Sequence, residues 1–299
     1  MSNRKSLAKL LLLLAFLVFF SANTLYLFEI DTSEVKATVH KSCEFSFDKK
    51  TSKGPHLNLK SAFLADFETG DVLYSKNSNK VRPIASISKL VAAMVIADKR
   101  VDLKKTAKIT KSDAYRSSRS RLSVGFELTL YDLLHAGLMN SDNRAMRALA
   151  RATSGSIKAF AGDMNKKVKR LGLEHTVFFE PTGLDKRNVS TAQEVAKIVF
   201  YAYKYDLIAE ITAKKRYRVK IVNRKNTFRP MANTNLLTQS PYKVLAGKTG
   251  YIRAADYCLA TLVKNKKGEK LLAVVLGVPG DKLRFKEARR LIDWGFKQI

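Results

Sequence analysis

A chain of 299 residues, 46% hydrophobic and 27% charged, has the make-up of a globular protein with a substantial core, which excludes the disordered and fibrous classes. Its 55 Lys and Arg against 26 Asp and Glu leave a formal charge of +29, so its company is anionic: nucleic acid, a membrane surface or an acidic polymer. Two cysteines exclude a disulfide framework and a cysteine zinc site, and the four histidines show no metal-ligand spacing, so neither metal nor cofactor is expected.

Residues 1–30 read as an export segment, a basic MSNRKSLAK followed by the apolar run Leu10 to Phe20. The small residues that follow offer only Ala22-x-Thr24 as a cleavage signal, so a cleaved signal peptide and a retained membrane anchor both stand. Either takes the chain out of the cytoplasm, and membrane association follows if the segment is retained. Nucleic acid thereby drops out as a partner, and an electrostatic association with the anionic envelope surface takes its place. Residues 31–57 are polar and aperiodic, a linker to a single domain over 58–299. Cys43 lies in this linker. An exported protein permits its pairing with Cys258, whose apolar run YCLATLV equally suits a buried free thiol.

Within the domain, SAFLADF (61–67) and VLYSK (72–76) flank the turn ETGD as a β-hairpin. Residues 86–98 form a helix that is apolar on nearly every side and therefore buried. Helices follow over 128–139 and 143–153, interrupted at Asn140-Ser141-Asp142, and over 157–173, which stops at Gly172. Residues 180–190 are turn-rich, and helix resumes at Thr191. VLAGKTGYI, DYCLATLVKN and EKLLAVVLGVPG then read as strands, and an amphipathic helix from Leu283 closes the chain. The basic runs 104–111 and 214–225 read as solvated faces, or as handles for anionic envelope polymers. The pattern predicts an α+β fold, one antiparallel sheet with helices packed on it.

One residue sits where physics disfavours it. Lys89 is in the first turn of the buried helix, at the positive end of its dipole, three residues after Ser86. That spacing puts the two side chains on one face, with Cβ atoms about 5–6 Å apart. Desolvation and the dipole both strip the proton from such an amine, and a neutral amine beside a hydroxyl makes it a nucleophile. The alternative is an N-cap at Ser86 or Ser88 with Lys89 in solvent. Two further motifs argue against that: Ser141-Asp142-Asn143 in the break between helices, and Lys248-Thr249-Gly250 in a strand.

The set S-x-x-K, S-D-N and K-T-G in that order, with EPTGLDKRNVSTAQEVA and RFKEARRLIDW, resembles the low-molecular-mass penicillin-binding proteins, serine D-alanyl-D-alanine peptidases of the bacterial cell wall. The resemblance runs from about residue 58 to the C-terminus. It implies a transpeptidase/β-lactamase-like fold, a five-stranded antiparallel sheet flanked by helices with a helical subdomain. It also implies that Ser86 forms an acyl-enzyme, Lys89 accepts its proton and Ser141 relays a proton to the leaving amine. Asn143 would orient the substrate amide, Lys248 and Thr249 hold its carboxylate, and the N–H groups of Ser86 and Tyr251, the latter just after Gly250, form an oxyanion hole. Asn143 as a helix cap and Thr249 as an ordinary strand residue remain the plain alternatives. Peptidoglycan peptide stems are the implied substrates and β-lactams the covalent inhibitors.

EPTGL…NVSTA and the stop at Ile299, which leaves no room for the C-terminal β domain of many carboxypeptidases in the group, point to the endopeptidase branch, with terminal D-Ala cleavage as the alternative. Glu180-Pro181 invites comparison with the deacylating Glu of class A β-lactamases. However, Thr182, Gly183 and Leu184 follow without the needed Asn, so stable penicillin acylation is expected. A non-catalytic basic wall-binding protein is the rival from another class. Asp256 stands where related sequences usually carry Gly, and an acidic side chain there could alter the cleft mouth or its tolerance for substrate, outside the catalytic set.

Overall fold

The computed structural model describes residues 46–47, 54–117 and 120–299. The export segment, most of the linker and Cys43 lie outside the described residues. Strands β1 (Ser61–Asp66) and β2 (Val72–Lys76) form the expected hairpin. Its turn is set by Asp66, whose carboxylate accepts from the N–H groups of Glu68 and Thr69, and by Gly70 at φ +80°. β9 (Lys243–Ile252), β10 (Asp256–Lys264) and β11 (Lys270–Val278) complete a five-stranded antiparallel sheet in the order β2-β1-β11-β10-β9.

The strands read as continuous apolar runs because both sheet faces are covered. Ala62, Leu64, Leu271, Ala273 and Val275 meet Phe285, Leu291 and Ile292 of the C-terminal helix (Asp281–Gly295). Alternate residues such as Phe63, Leu272 and Val274 turn to the other face, against the helix Ala192–Tyr203.

Eight α-helices lie among the described residues. The one over Ser88–Asp98, here α1, is buried from Ser88 to Ile96 and packs against Leu130–Met139, Asn143–Ser154 and Ile157–Arg170 as the core of the helical subdomain. Those three begin at side-chain caps, Thr129, Asp142 and Ser156, each accepting from a backbone N–H of the first turn.

The basic run 214–225 is more than a solvated face. Residues Arg216–Lys220 (β7) pair with Phe228–Ala232 (β8), exposing Arg216, Arg218 and Lys220 and burying Val219. Likewise Thr106–Lys108 (β4) pairs with Glu127–Thr129 (β5), and the two-residue strands Arg82–Pro83 (β3) and Val189–Ser190 (β6) pair with each other. β7 alternates charged-out and apolar-in, but β8 exposes Phe228, Pro230 and Ala232 and half-buries Arg229, so the polar-apolar period of two is lost in the second half of the ribbon.

Candidate active site

Ser86 lies in a single 3-10 turn, Ala85–Ile87, that leads into α1. Ala85 is held at φ +48°, a left-handed backbone that costs a β-carbon residue about 1–3 kcal/mol and persists only where surroundings enforce it. They do so here. A Cβ at Gly183 would lie 1.9 Å from the Ala85 carbonyl oxygen, and one at Gly250 would lie 2.9 Å from that of Ile84 and 3.1 Å from the Ser86 nitrogen. Two chain segments therefore clamp the turn by backbone approach that only glycine permits. Gly183→Ala, which also faces φ +83°, is expected to displace this turn, destabilising the protein by about 2 kcal/mol or more and slowing penicillin acylation. An unchanged denaturation midpoint and acylation rate would refute the clamp.

Neither Ser86 nor Ser88 caps the helix. Ser88 is buried, its hydroxyl donating to Ala85 O at 2.8 Å. Lys89 is 0% exposed, and its Nζ lies 2.8 Å from Ser86 Oγ, 2.7 Å from Asn143 Oδ1 and 2.5 Å from Thr182 O. Burial pushes the amine down to about 7; the carboxylates of Glu180 and Asp142 offset part of that, and Arg147 adds to it. A neutral amine has two N–H groups and one lone pair. With Asn143 Oδ1 and Thr182 O taking the N–H groups, the lone pair is left for the Ser86 hydroxyl, which otherwise donates to Thr182 O at 3.2 Å. The arrangement can therefore draw a proton from Ser86.

The Ser141-Asp142-Asn143 stretch divides its labour. Asp142 is the N-cap, accepting from the N–H groups of Arg144 and Ala145, and its second oxygen takes Ser120 Oγ at 2.7 Å. Asn143 is thus released from capping and faces Lys89. Ser141 is held at φ +59°, and among the described residues its hydroxyl has no hydrogen-bond partner.

On the opposite wall Lys248 is 1% exposed and donates to Thr249 O at 3.0 Å. Burial, then Lys89 and Arg284, push it well below the usual lysine range. The Thr249 hydroxyl shares a 2.6 Å bond with that of Thr234, and the exposed Tyr251 ring stacks on Tyr257 at 4.2 Å. Ser86, Ser141, Asn143, Thr249, Gly250 and Tyr251 line one cleft of about 550 Å³, with the two lysine amines buried beside it.

Three contributors were not singled out from the sequence. Thr182 acts through a backbone oxygen, Thr234 through its hydroxyl, and Arg284 by donating to Gly250 O and Cys258 O, which ties β9 to β10. Backbone acceptors carry no signature in side-chain identity. RFKEARRLIDW, which carries Arg284, forms part of the resemblance and of an amphipathic helix and gives Arg284 itself no role.

The model of the D-alanyl-D-alanine carboxypeptidase family, peptidase family S11, matches residues 48–280. The chain belongs to this family. It is a serine hydrolase of the D-alanyl-D-alanine endopeptidase and carboxypeptidase class. It is 36% identical to the D-alanyl-D-alanine endopeptidase of Escherichia coli (strain K12), over 82% of this chain and 79% of the relative. The D-alanyl-D-alanine carboxypeptidase DacF of Bacillus subtilis (strain 168) is 34% identical over 84% of this chain and 65% of its own length. The crystal structure of the Streptomyces K15 DD-transpeptidase superposes with a TM-score of 0.77 at 26% identity, covering 82% of this chain and all of that one.

In this peptidase Glu180 is consumed structurally. Its carboxylate accepts from the N–H groups of Thr182, Gly183 and Leu184 and from the Thr182 hydroxyl, stapling the loop that brings Thr182 O to Lys89. The Asp256 carboxylate pairs with Lys60 at 2.8 Å, and Asp256 is not among the residues that line the cleft. Its φ of +53° lies in the left-handed region, which Asp adopts more readily than most residues with a β-carbon. Cys258 is a buried free thiol, pushed up to about 11 by burial.

Proposed function

We propose that the peptidase cleaves D-alanyl bonds of peptidoglycan crosslinks through an acyl-enzyme on Ser86. The single observation that carries the assignment is the buried Lys89 amine, 2.8 Å from Ser86 Oγ with its other two directions occupied. Ser86 Oγ bonds to the D-alanyl carbonyl carbon while its proton passes to Lys89. The N–H groups of Ser86 and Tyr251 hold the oxyanion, charge that exists only beyond the ground state. Collapse breaks the C–N bond, and the leaving amine takes, through Ser141, the proton that Lys89 received. The Ser141 hydroxyl lines the cleft without a partner in the free enzyme and meets Lys89 Nζ only after the Ser86 oxygen is acylated. Water then releases the acyl group. Asn143 orients the substrate amide, and Lys248 with Thr249 receives its carboxylate. Arrival of that carboxylate favours the charged form of Lys248, which burial otherwise opposes.

Crosslinks are preferred over terminal D-Ala because relatives named D-alanyl-D-alanine endopeptidase match this chain at 36% identity over 82% and 78% of its length. The carboxypeptidase reading keeps support from the match to DacF. The Glu180 carboxylate is engaged by the loop backbone, so β-lactams acylate Ser86 and stay.

The test is digestion of purified crosslinked and uncrosslinked muropeptides by the purified enzyme. Release of monomers from dimers, with terminal D-Ala release slower by about tenfold or more, is expected. The reverse ratio assigns the carboxypeptidase activity instead.

The enzyme works outside the cytoplasm, in the periplasm, exported by residues 1–30 and associated with the anionic envelope surface through its charge of +29. No described helix is long and apolar enough to cross a membrane.

A further inference from the structure

We propose that the peptidase docks onto anionic phospholipid headgroups through one surface built from its two small ribbons, β4–β5 and β7–β8. This rests on the reading that the enzyme associates with an anionic envelope surface, and it names where and with what.

The two basic runs, about a hundred residues apart in sequence, are sewn together in the fold. The Val222 N–H donates to Glu127 O at 2.7 Å. The Asn223 side chain accepts from the Glu127 N–H at 3.0 Å and donates to Gly125 O at 2.9 Å. The turn of β7–β8 thus lies along β5. On this joined surface β7 exposes Arg216, Arg218 and Lys220, and its turn adds Arg224 and Lys225. The first run adds Lys104, Lys105, Lys108 and Lys111, all exposed.

None of these cations has an ion-pair partner among the described residues, although twelve ion pairs occur elsewhere. The carboxylates nearby are already occupied. Glu127 accepts the Thr106 hydroxyl, and Asp102 accepts the Lys104 N–H. Asp113 is held by Arg151, and Asp132 by the Tyr217 hydroxyl and the Lys220 N–H. Uncompensated like charges at this density repel one another, and an external anion relieves that.

A second feature selects the anion. Val124, Val222 and Phe228 are 45%, 45% and 39% exposed on the same surface, Val124 and Val222 flanking the Gly125–Asn223 bond. Phe228 lies across from Lys220, with the Arg218 guanidinium over its ring at 5.0 Å. A soluble polyanion gives exposed valines nothing to bury against. A headgroup layer accepts both, phosphates against the cations and apolar tips at the acyl boundary.

The placement also suits the chemistry. At the far end of β8 the Asn140 side chain donates to Ala232 O at 3.4 Å, and Asn140 and Thr234 line the cleft. The cleft therefore borders one end of the ribbon, and the cationic turn is at the other, about 15–17 Å away at roughly 3.3 Å per strand residue.

The test is flotation of the full-length protein with phosphatidylcholine vesicles, with and without phosphatidylglycerol. Comparing the two compositions cancels apolar partitioning by the N-terminal segment. Binding is expected to strengthen with phosphatidylglycerol and weaken with salt. The triple variant Arg216→Gln, Arg218→Gln, Lys220→Gln should lose this dependence by on the order of a hundredfold, about fivefold per charge. Unchanged labelling by fluorescent penicillin shows that the variant is folded. A native protein indifferent to phosphatidylglycerol overturns both this proposal and the reading beneath it. A preference untouched by the triple variant leaves that reading and overturns the ribbon site. Equal loss of binding to a soluble glycerol-phosphate polymer, with no effect of Val124→Ser and Val222→Ser on vesicles, overturns the lipid assignment in favour of a polymer.

Discussion

Ser86→Ala is expected to abolish labelling by fluorescent penicillin and to lower D-alanyl bond cleavage by on the order of 10⁴- to 10⁶-fold, the usual loss when a serine nucleophile is removed. The prediction is sharp because the fold offers no substitute. Ser88 is fully buried and spends its proton on Ala85 O. Ser141 lines the cleft but lacks a neutral amine in hydrogen-bond contact. Stability should be nearly untouched, since the Ser86 hydroxyl caps no helix and Lys89 keeps Asn143 and Thr182. Gel labelling, muropeptide digestion and a denaturation midpoint, measured on the same preparation, decide the matter. Residual labelling with native stability would move the nucleophile elsewhere. An unlabelled wild-type protein would favour the non-catalytic wall binder.

How much of this was legible in the sequence depends on which atoms do the work. The sheet was legible, because Phe63, Leu272 and Val274 sit in apolar runs that only a doubly covered strand needs. The family was legible from three short motifs in order. The ribbon β7–β8 was not, because β8 exposes Phe228, Pro230 and Ala232 and half-buries Arg229, which breaks the polar-out alternation that β7 keeps. The Glu180 side chain could in the abstract serve as a water-activating base. Its actual partners are backbone N–H groups of the next few residues, and a short-range staple of that kind is visible only once the loop has closed. Asp256 shows the same limit from the other side. Its acidic chemistry is plain from the sequence, but its direction is set by a positive φ and by Lys60, distant by nearly two hundred positions in the chain and adjacent in space.

The strained turn explains why the serine and lysine meet as they do. In a regular helix, residues three apart are neighbours on its flank. Here Ser86 is instead in the 3-10 turn before α1, with Ala85 forced to φ +48° by Gly183 and Gly250. The same loop that clamps the turn delivers Thr182 O to Lys89, so nucleophile position and base hydrogen bonding are fixed by one element. Asn188 secures that loop, its N–H groups reaching Glu180 O at 2.8 Å and Ser88 Oγ at 3.3 Å.

Lys89→Met is therefore expected to slow acylation by on the order of a thousandfold while leaving Ser86 in place, the scale of a lost general base. The wild-type enzyme supplies the control through its pH profile. The base is the neutral amine, and burial has lowered its pKa to about 7, so the active form accumulates as pH rises. About a tenth is neutral at pH 6 and about nine tenths at pH 8, a roughly tenfold rise in acylation rate with a plateau above. An ordinary solvated lysine would instead keep rising toward pH 10. In Lys89→Met the inflection near 7 should vanish, even though Lys248 remains nearby and is itself relieved of a repelling neighbour. If the inflection survives that substitution, the titrating base is not Lys89. A wild-type rate that stays flat from pH 6 to pH 8 would instead mean that proton removal from Ser86 does not limit acylation.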